Sequence, residues 1–327
     1  MKKILVFLLF IFFLLINPLS QGDIISFGEG FLDEPTPPDQ PNSGPGGSDY
    51  KHKSVRKTHY NSGAQRYWIF EPDNPRPESA PLILFIHGGG GIYPIVYLDW
   101  IYHIVKKGNI LVYPRFQLGL TGKFPNFFEN TIKALNESII ELQNGKHVNP
   151  LLDKFAVVGH SIGGGMTAYI AAVAKDFNLP IPKVIMPVQP SIPSVNIVDL
   201  SKIANETLML VIAGEDDIHV GNQSAKFIFY NTSNISTSQK DFIIQRTDKY
   251  GNPDIIANHF APVCLPFFNM VNAMDYYSTW KLFDALTNYA FYGINKEYCL
   301  GNTYEQRFMG FWSDGSAVKE LLVTDNP

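Results

Sequence analysis

A glycine-rich motif near the middle of the chain constrains the fold more than any other feature. Gly159-His160-Ser161-Ile162-Gly163 separates an apolar run, FAVV, from a helical pattern, GGGMTAYIAAVA. A serine at such a strand–turn–helix junction is held in a sharp, strained turn, so its neighbours must be nearly free of side chains. The motif therefore predicts a nucleophile elbow that exposes Ser161 at the end of a buried strand.

The sequence around the motif alternates apolar runs with amphipathic stretches from about residue 65 onward. This alternation predicts an α/β fold with a mostly parallel central sheet, helices on both faces and a minimal lid or none. The predicted strands are 67–71, 81–86, 109–113, 155–158, 183–188, 207–213 and 241–245, and the predicted helices are 94–107, 126–143, 162–174 and 274–291.

A second glycine-rich segment, HGGGG at residues 87–91, directly follows the predicted strand 81–86. An acyl-transfer site needs backbone amides directed at the oxyanion of a tetrahedral intermediate, and loops of this kind provide one of them. We predict an oxyanion hole formed by the amides of Ile162 and Gly89, with Gly88 as the alternative to Gly89. The histidine of the segment is expected to brace the loop.

An acidic turn, GEDD at residues 214–217, follows the predicted strand 207–213. An acid at this place can orient a histidine and stabilise its imidazolium form. The spacing from the glycine favours Asp217, with Asp216 as the alternative and Glu215 as a weaker third candidate.

Two histidines follow the acidic turn, and in this fold the base comes after the acid. His219 lies on the turn itself, two residues from Asp217, and is badly placed to reach Ser161. His259 is therefore the predicted general base. Two aromatic residues beside the motifs, Tyr93 and Phe260, are predicted to line the substrate site.

The N-terminus has the pattern of a signal peptide. A positive start is followed by an apolar run of about 13 residues and small residues near Gly22. We predict a signal peptide over residues 1–22, a Pro/Gly-rich tail and first strand region over 23–64, and the main domain over 65–327. Export would place the chain in a secreted, periplasmic or other extracytoplasmic location, where Cys264 and Cys299 are expected to form a disulfide.

Charge and residue spacing exclude several classes of function. The formal net charge is -4 and the sequence has no concentrated basic surface, so nucleic-acid binding is not expected. The two cysteines and the histidines have no zinc-ligand spacing, and no H-E-x-x-H motif is present. We expect a monomer without metal or cofactor and without membrane contact beyond the signal peptide.

The stretches LILFIHGGGG, FAVVGHSIGGG, LVIAGEDD and NHFAP resemble the α/β-hydrolase superfamily, and within it the secreted branch of dienelactone hydrolases, acetylxylan-esterase-like enzymes and cutinase-like polyester hydrolases. The resemblance implies a Ser161–Asp217–His259 triad. The expected function is a serine esterase for small-molecule or polymeric esters. An amidase or peptidase with the same triad, or a non-catalytic binding protein with this fold, are the alternatives.

Overall fold

A computed structural model describes residues 34–119, 124–192, 198–265 and 270–327. The predicted signal peptide lies outside the described residues. The strands are β1 (Ser54–Tyr60), β2 (Tyr67–Asp73), β3 (Ser79–Ile86), β4 (Ile110–Pro114), β5 (Asn149–His160), β6 (Val184–Val188), β7 (Leu208–Gly214), β8 (Lys240–Gln245) and β9 (Leu322–Thr324). The α-helices are α1 (Leu98–Lys106), α2 (Phe124–Leu142), α3 (Ile162–Val173), α4 (Gln223–Asn231), α5 (Lys281–Tyr292) and α6 (Tyr304–Arg307).

The nine strands form one sheet in the order β1-β2-β4-β3-β5-β6-β7-β8-β9. The strands from β3 to β8 pair in parallel, whereas β1 and β2 at one edge and β9 at the other pair antiparallel to their neighbours. The predicted mostly parallel sheet is confirmed. Because parallel strands end at the same edge, the loops after β3, β5, β7 and β8 meet there.

The core has two halves, one on each face of the sheet. Successive residues of β3 alternate between them: Leu82, Leu84 and Ile86 belong to one cluster, and Ile83 and Phe85 to the other. The first cluster includes residues of α2, α3 and α4, and the second includes residues of α1 and α5. A strand that is apolar on both faces reads as a continuous hydrophobic run, which is why the sequence predicted these strands.

The proline- and glycine-rich segment before β1 has no helix or strand between residues 35 and 50, as its composition predicted. It nevertheless packs against the rest of the domain, because the Gly46 amide donates to Asp284 Oδ2 at 2.9 Å. A Cβ added at Gly46 would meet the Tyr276 carbonyl oxygen at 2.0 Å. Residues Pro35–Pro327 form one compact unit.

Two elements differ from the expected pattern. The predicted helix 274–291 is divided into a π-helical segment, Asp275–Trp280, and α5. The helix α4 was not predicted, because it is short and only Ala225, Ile228 and Phe229 of its residues are buried. Among the helices of the described ranges, none has the length and apolar composition needed to cross a membrane.

Candidate active site

The turn between β5 and α3 has the geometry of a strained elbow. Ser161 has φ 57° and ψ −121°, a conformation that non-glycine residues rarely adopt. The turn also passes very close to the end of β3, because a Cβ added at Gly163 would meet the Ile86 carbonyl oxygen at 2.0 Å. A side chain at this position is therefore excluded. Ser161 immediately precedes α3, whose N-terminus favours negative charge nearby.

Three of the predicted side chains form a hydrogen-bonded series. Ser161 Oγ lies 3.0 Å from His259 Nε2, and His259 Nδ1 lies 2.8 Å from Asp217 Oδ2. All three side chains are buried, although they come from three loops that are far apart in the sequence. The distances suit proton transfer from the hydroxyl to the imidazole, with the carboxylate accepting from the opposite ring nitrogen.

The three carboxylates of the acidic turn have different hydrogen-bond partners. Besides His259, Asp217 accepts hydrogen bonds at Oδ1 from the amides of His219 and Val220, at 3.0 and 3.1 Å. These two amides hold the carboxylate at the orientation that reaches the imidazole.

The other two carboxylates of the turn bind a neighbouring loop instead. Asp216 Oδ2 accepts from Thr247 Oγ1 at 2.5 Å, and Glu215 Oε2 accepts from the Thr247 amide at 3.0 Å. The structure thus brings Asp217, and neither alternative acid, to the histidine.

The loop after β3 lies directly against the elbow. A Cβ added at Gly89 would lie 3.2 Å from Ile162 Cδ1, so the two residues predicted to supply oxyanion amides are neighbours. The Gly88 amide already donates to Tyr97 Oη at 3.0 Å. Ile162 is the first residue of α3, where amides have no acceptor within the helix. Of the two alternatives in this loop, Gly89 is therefore better suited than Gly88 to bind an oxyanion.

A family model described as Chlorophyllase matches residues 45–191. The matched segment includes the loop after β3 and the elbow but ends before Asp217 and His259, whose positions rest on the geometry above. A search of the curated proteins returned no significant match.

This family belongs to the α/β-hydrolase superfamily, and the mostly parallel nine-stranded sheet is consistent with an α/β-hydrolase fold. This confirms the superfamily predicted from the motifs, and the family match indicates an esterase-type α/β-hydrolase.

Burial sets the protonation of the histidines in this α/β-hydrolase. Burial lowers the pKa of His259 below its ordinary value, and the hydrogen bond and charge of Asp217 partly oppose that shift. Nearby His219 lowers the same pKa further by charge repulsion. His87 is fully buried with a pKa near 4, and its ring nitrogens contact the carbonyl oxygens of Gly88 and Arg115 at 2.6 and 2.8 Å. His87 therefore braces the loop, and as a neutral ring it donates to one of these two carbonyl oxygens.

The two residues predicted to line the substrate site have different surroundings. Phe260 is 44% exposed and its ring lies 5.8 Å from that of His259 and 5.1 Å from that of His219. Tyr93 is 48% exposed and contacts Trp68 and Arg115. Phe260 thus borders the triad directly, and Tyr93 lies on the oxyanion side.

The predicted disulfide is wrong, because both cysteines are free and buried. The Cys264 amide donates to the Val96 carbonyl at 2.9 Å, whereas Cys299 Sγ lies 3.4 Å from the Lys296 carbonyl in the turn after α5. Packing places the two residues in different surroundings. Burial raises the pKa of both thiols, which favours the protonated, unreactive form.

Sequence reasoning missed Tyr97 and its hydrogen bond with His160. Tyr97 Oη lies 2.8 Å from His160 Nδ1, and both side chains are buried beside the elbow. No spacing rule links the two residues, because their contact depends on how the turn before α1 packs against β5. Among the described residues, no group of three or more His, Cys, Asp or Glu side chains could hold a metal ion.

Proposed function

We propose that this chain is an exported serine hydrolase that cleaves carboxylic esters through an acyl-enzyme. The observation that carries the proposal is the unbroken series from Ser161 Oγ through the His259 imidazole to the Asp217 carboxylate. The esterase-type family match supports the same reaction class. The export part rests on the signal-peptide pattern of residues 1–22, and N-terminal sequencing of protein recovered outside the cells would test it.

The proposed reaction has two steps. His259 Nε2 takes the proton of Ser161 Oγ as the oxygen attacks the ester carbonyl, and the Gly89 and Ile162 amides stabilise the resulting oxyanion. The imidazolium returns the proton to the leaving alcohol as the carbon–oxygen bond breaks. His259 then removes a proton from water, which attacks the acyl-enzyme, and finally returns that proton to Ser161.

The surroundings of the triad favour an apolar substrate group near the histidine. Phe260 and His219 form an exposed ring pair beside His259, against which an acyl or alcohol group can pack. The connection between β6 and β7 contributes one 3-10 turn, Leu200–Lys202, within its described residues. A site bordered by this exposed ring pair can take small esters or a segment of a polymeric ester.

A substrate panel tests the reaction class. We expect hydrolysis of p-nitrophenyl esters with acyl chains of two to twelve carbons, and much slower cleavage of the matching p-nitroanilides, because the amide leaving group is poorer. The purified mature chain should also react with a fluorophosphonate probe. Anilide cleavage at the ester rate would favour the amidase alternative, and neither turnover nor labelling would favour a binding protein.

The pH profile follows from the environment of His259. The imidazole must be neutral to accept the serine proton, so kcat/KM should rise with pH through the pKa of this histidine in the free enzyme. Because burial lowers that pKa, the acid limb should have its midpoint below the ordinary histidine value of about 6.5.

The control variant for the pH profile is His219→Gln, which removes a neighbour that lowers the pKa of His259. It should move the acid limb of kcat/KM to higher pH. An acid limb above 6.5 in the wild-type chain would contradict the buried environment assigned to His259.

A further inference from the structure

The hydroxyl of Tyr97 joins the oxyanion loop to the nucleophile elbow. Tyr97 ends the 3-10 turn Pro94–Tyr97 and is 1% exposed. Its Oη lies 3.0 Å from the Gly88 amide nitrogen and 2.8 Å from His160 Nδ1. An amide can only donate, so the hydroxyl accepts from Gly88. The same hydroxyl forms its second hydrogen bond with His160 Nδ1, so one side chain joins the two segments.

The surroundings of His160 keep its ring neutral. A neutral imidazole carries one proton, and Nδ1 can pair with the Tyr97 hydroxyl in either tautomer. Burial, and secondly the charge of His259, lowers the pKa of His160 to about 3, so the ring stays neutral at ordinary pH. The hydrogen bond between Tyr97 and His160 is therefore not lost through protonation of the imidazole at ordinary pH.

The loop passes close to the elbow at Gly88. A Cβ added there would lie 3.0 Å from both His160 Nδ1 and Tyr97 Oη, and 3.2 Å from Ser161 Cβ, so a side chain would be crowded at this position. The hydrogen bond from the Gly88 amide to Tyr97 holds the loop at this close approach. The next residue, Gly89, then presents its amide beside Ile162.

His160 extends the connection to the loop that carries the base. Its ring centroid lies 4.7 Å from that of His259, with the ring planes inclined at 41°. Tyr97 and His160 therefore contact, directly or through one another, the three loops that carry the oxyanion amide, the nucleophile and the base. Neither side chain belongs to the hydrogen-bonded series of the triad.

We propose that Tyr97 is a positioning residue that holds the oxyanion loop against the elbow through Gly88 and His160. The inference rests on the esterase function proposed above. Because the Gly88 amide is engaged by Tyr97, it also assigns the loop's oxyanion contact to the Gly89 amide.

Tyr97→Phe removes the hydroxyl and keeps the ring, which packs 5.1 Å from Phe85. Losing an oxyanion donor outright costs about 100- to 1,000-fold in kcat, so a donor that is only displaced should cost about 10- to 100-fold. KM should change little, because the loop amides act on the transition state. The matched control is Tyr169→Phe, since Tyr169 is also buried but its hydroxyl has no hydrogen-bond partner among the described residues.

A transition-state mimic separates positioning from general destabilisation. A trifluoromethyl ketone forms a tetrahedral adduct with an oxyanion, whereas the matching methyl ketone stays largely unreacted. In Tyr97→Phe, affinity for the trifluoromethyl ketone should fall by the same factor as kcat/KM, and affinity for the methyl ketone should hold. His160→Asn, which keeps a hydrogen-bonding group near the place of Nδ1, should retain more activity than His160→Leu.

The outcomes distinguish the two proposals. An inactive wild-type chain would overturn the esterase function and this inference with it. With an active wild-type chain, the inference is overturned if Tyr97→Phe keeps wild-type kcat, or if its loss appears in KM while trifluoromethyl ketone affinity is unchanged. Equal losses in Tyr97→Phe and Tyr169→Phe would likewise overturn it, because the effect would then follow from any buried hydroxyl.

Discussion

Replacing Ser161 with alanine is expected to reduce kcat of ester hydrolysis by about 10⁶-fold, because no other described side chain lies within hydrogen-bond distance of His259 Nε2. The residual rate should come from substrate binding and from the Gly89 and Ile162 amides, which the substitution leaves in place. The measurement is p-nitrophenyl ester turnover by the purified variant. It should be paired with fluorophosphonate labelling, which should be absent.

The control for Ser161→Ala is Ser138→Ala. Ser138 is a buried serine of α2 whose hydroxyl donates to the Leu135 carbonyl, far along the chain from the elbow. This variant should keep wild-type turnover and labelling. Both variants should show cooperative thermal unfolding, since neither adds volume to the core. Retained labelling in Ser161→Ala would mean that another residue is the nucleophile and would refute the proposed mechanism.

The sequence predicted the parts of the site that depend on local rules. Ser161 and Gly89 each follow a strand that is apolar on both faces, and such strands lie in the interior of a parallel sheet. Because the C-terminal ends of parallel strands share one edge, motifs that follow different strands must meet. The same rule predicts that Asp217 and His259 lie near the serine, although no motif in the sequence between these residues specifies their distances.

Features decided by packing were not predictable in the same way. The segment around Gly46 has the composition of a linker, but its contacts with Asp284 and Tyr276 show that it packs against the domain. The expected disulfide followed from the inferred compartment, whereas the separation of Cys264 and Cys299 is set by the loops that carry them. The contact between Tyr97 and His160 joins residues far apart in the sequence, and no helical or strand periodicity predicts it.

The choice between Asp216 and Asp217 shows where local sequence rules end and tertiary packing decides. Turn spacing favoured Asp217 over Asp216, but either side chain could have faced the histidine from the sequence alone. In the structure, Thr247 holds Asp216 through its hydroxyl at 2.5 Å, while two turn amides orient Asp217. Which acid faces the histidine therefore depends in part on contacts with a neighbouring loop, and the sequence of the acidic turn does not predict those contacts.

Asp217→Asn is therefore expected to lower kcat by about 10⁴-fold with little effect on the fold. The side-chain oxygen of the introduced asparagine can still accept from the amides of His219 and Val220, which now donate to Oδ1. Its amide group then replaces Oδ2 and directs a donor at His259 Nδ1. The imidazole must accept at Nδ1 and carry its proton on Nε2, so it cannot take the proton of Ser161.

Asp216→Asn is the matched control, since it makes the same chemical change one residue away. The introduced side chain can keep an oxygen facing Thr247 Oγ1, and no contact with His259 is altered. Esterase assays of both variants at pH 7 to 8 should show near wild-type turnover for Asp216→Asn and the large loss for Asp217→Asn. Fluorophosphonate labelling should slow only in the latter, because it also needs an activated serine. Equal losses in the two variants would mean that the acidic turn acts as a structural unit and that Asp217 is not the partner of the catalytic histidine.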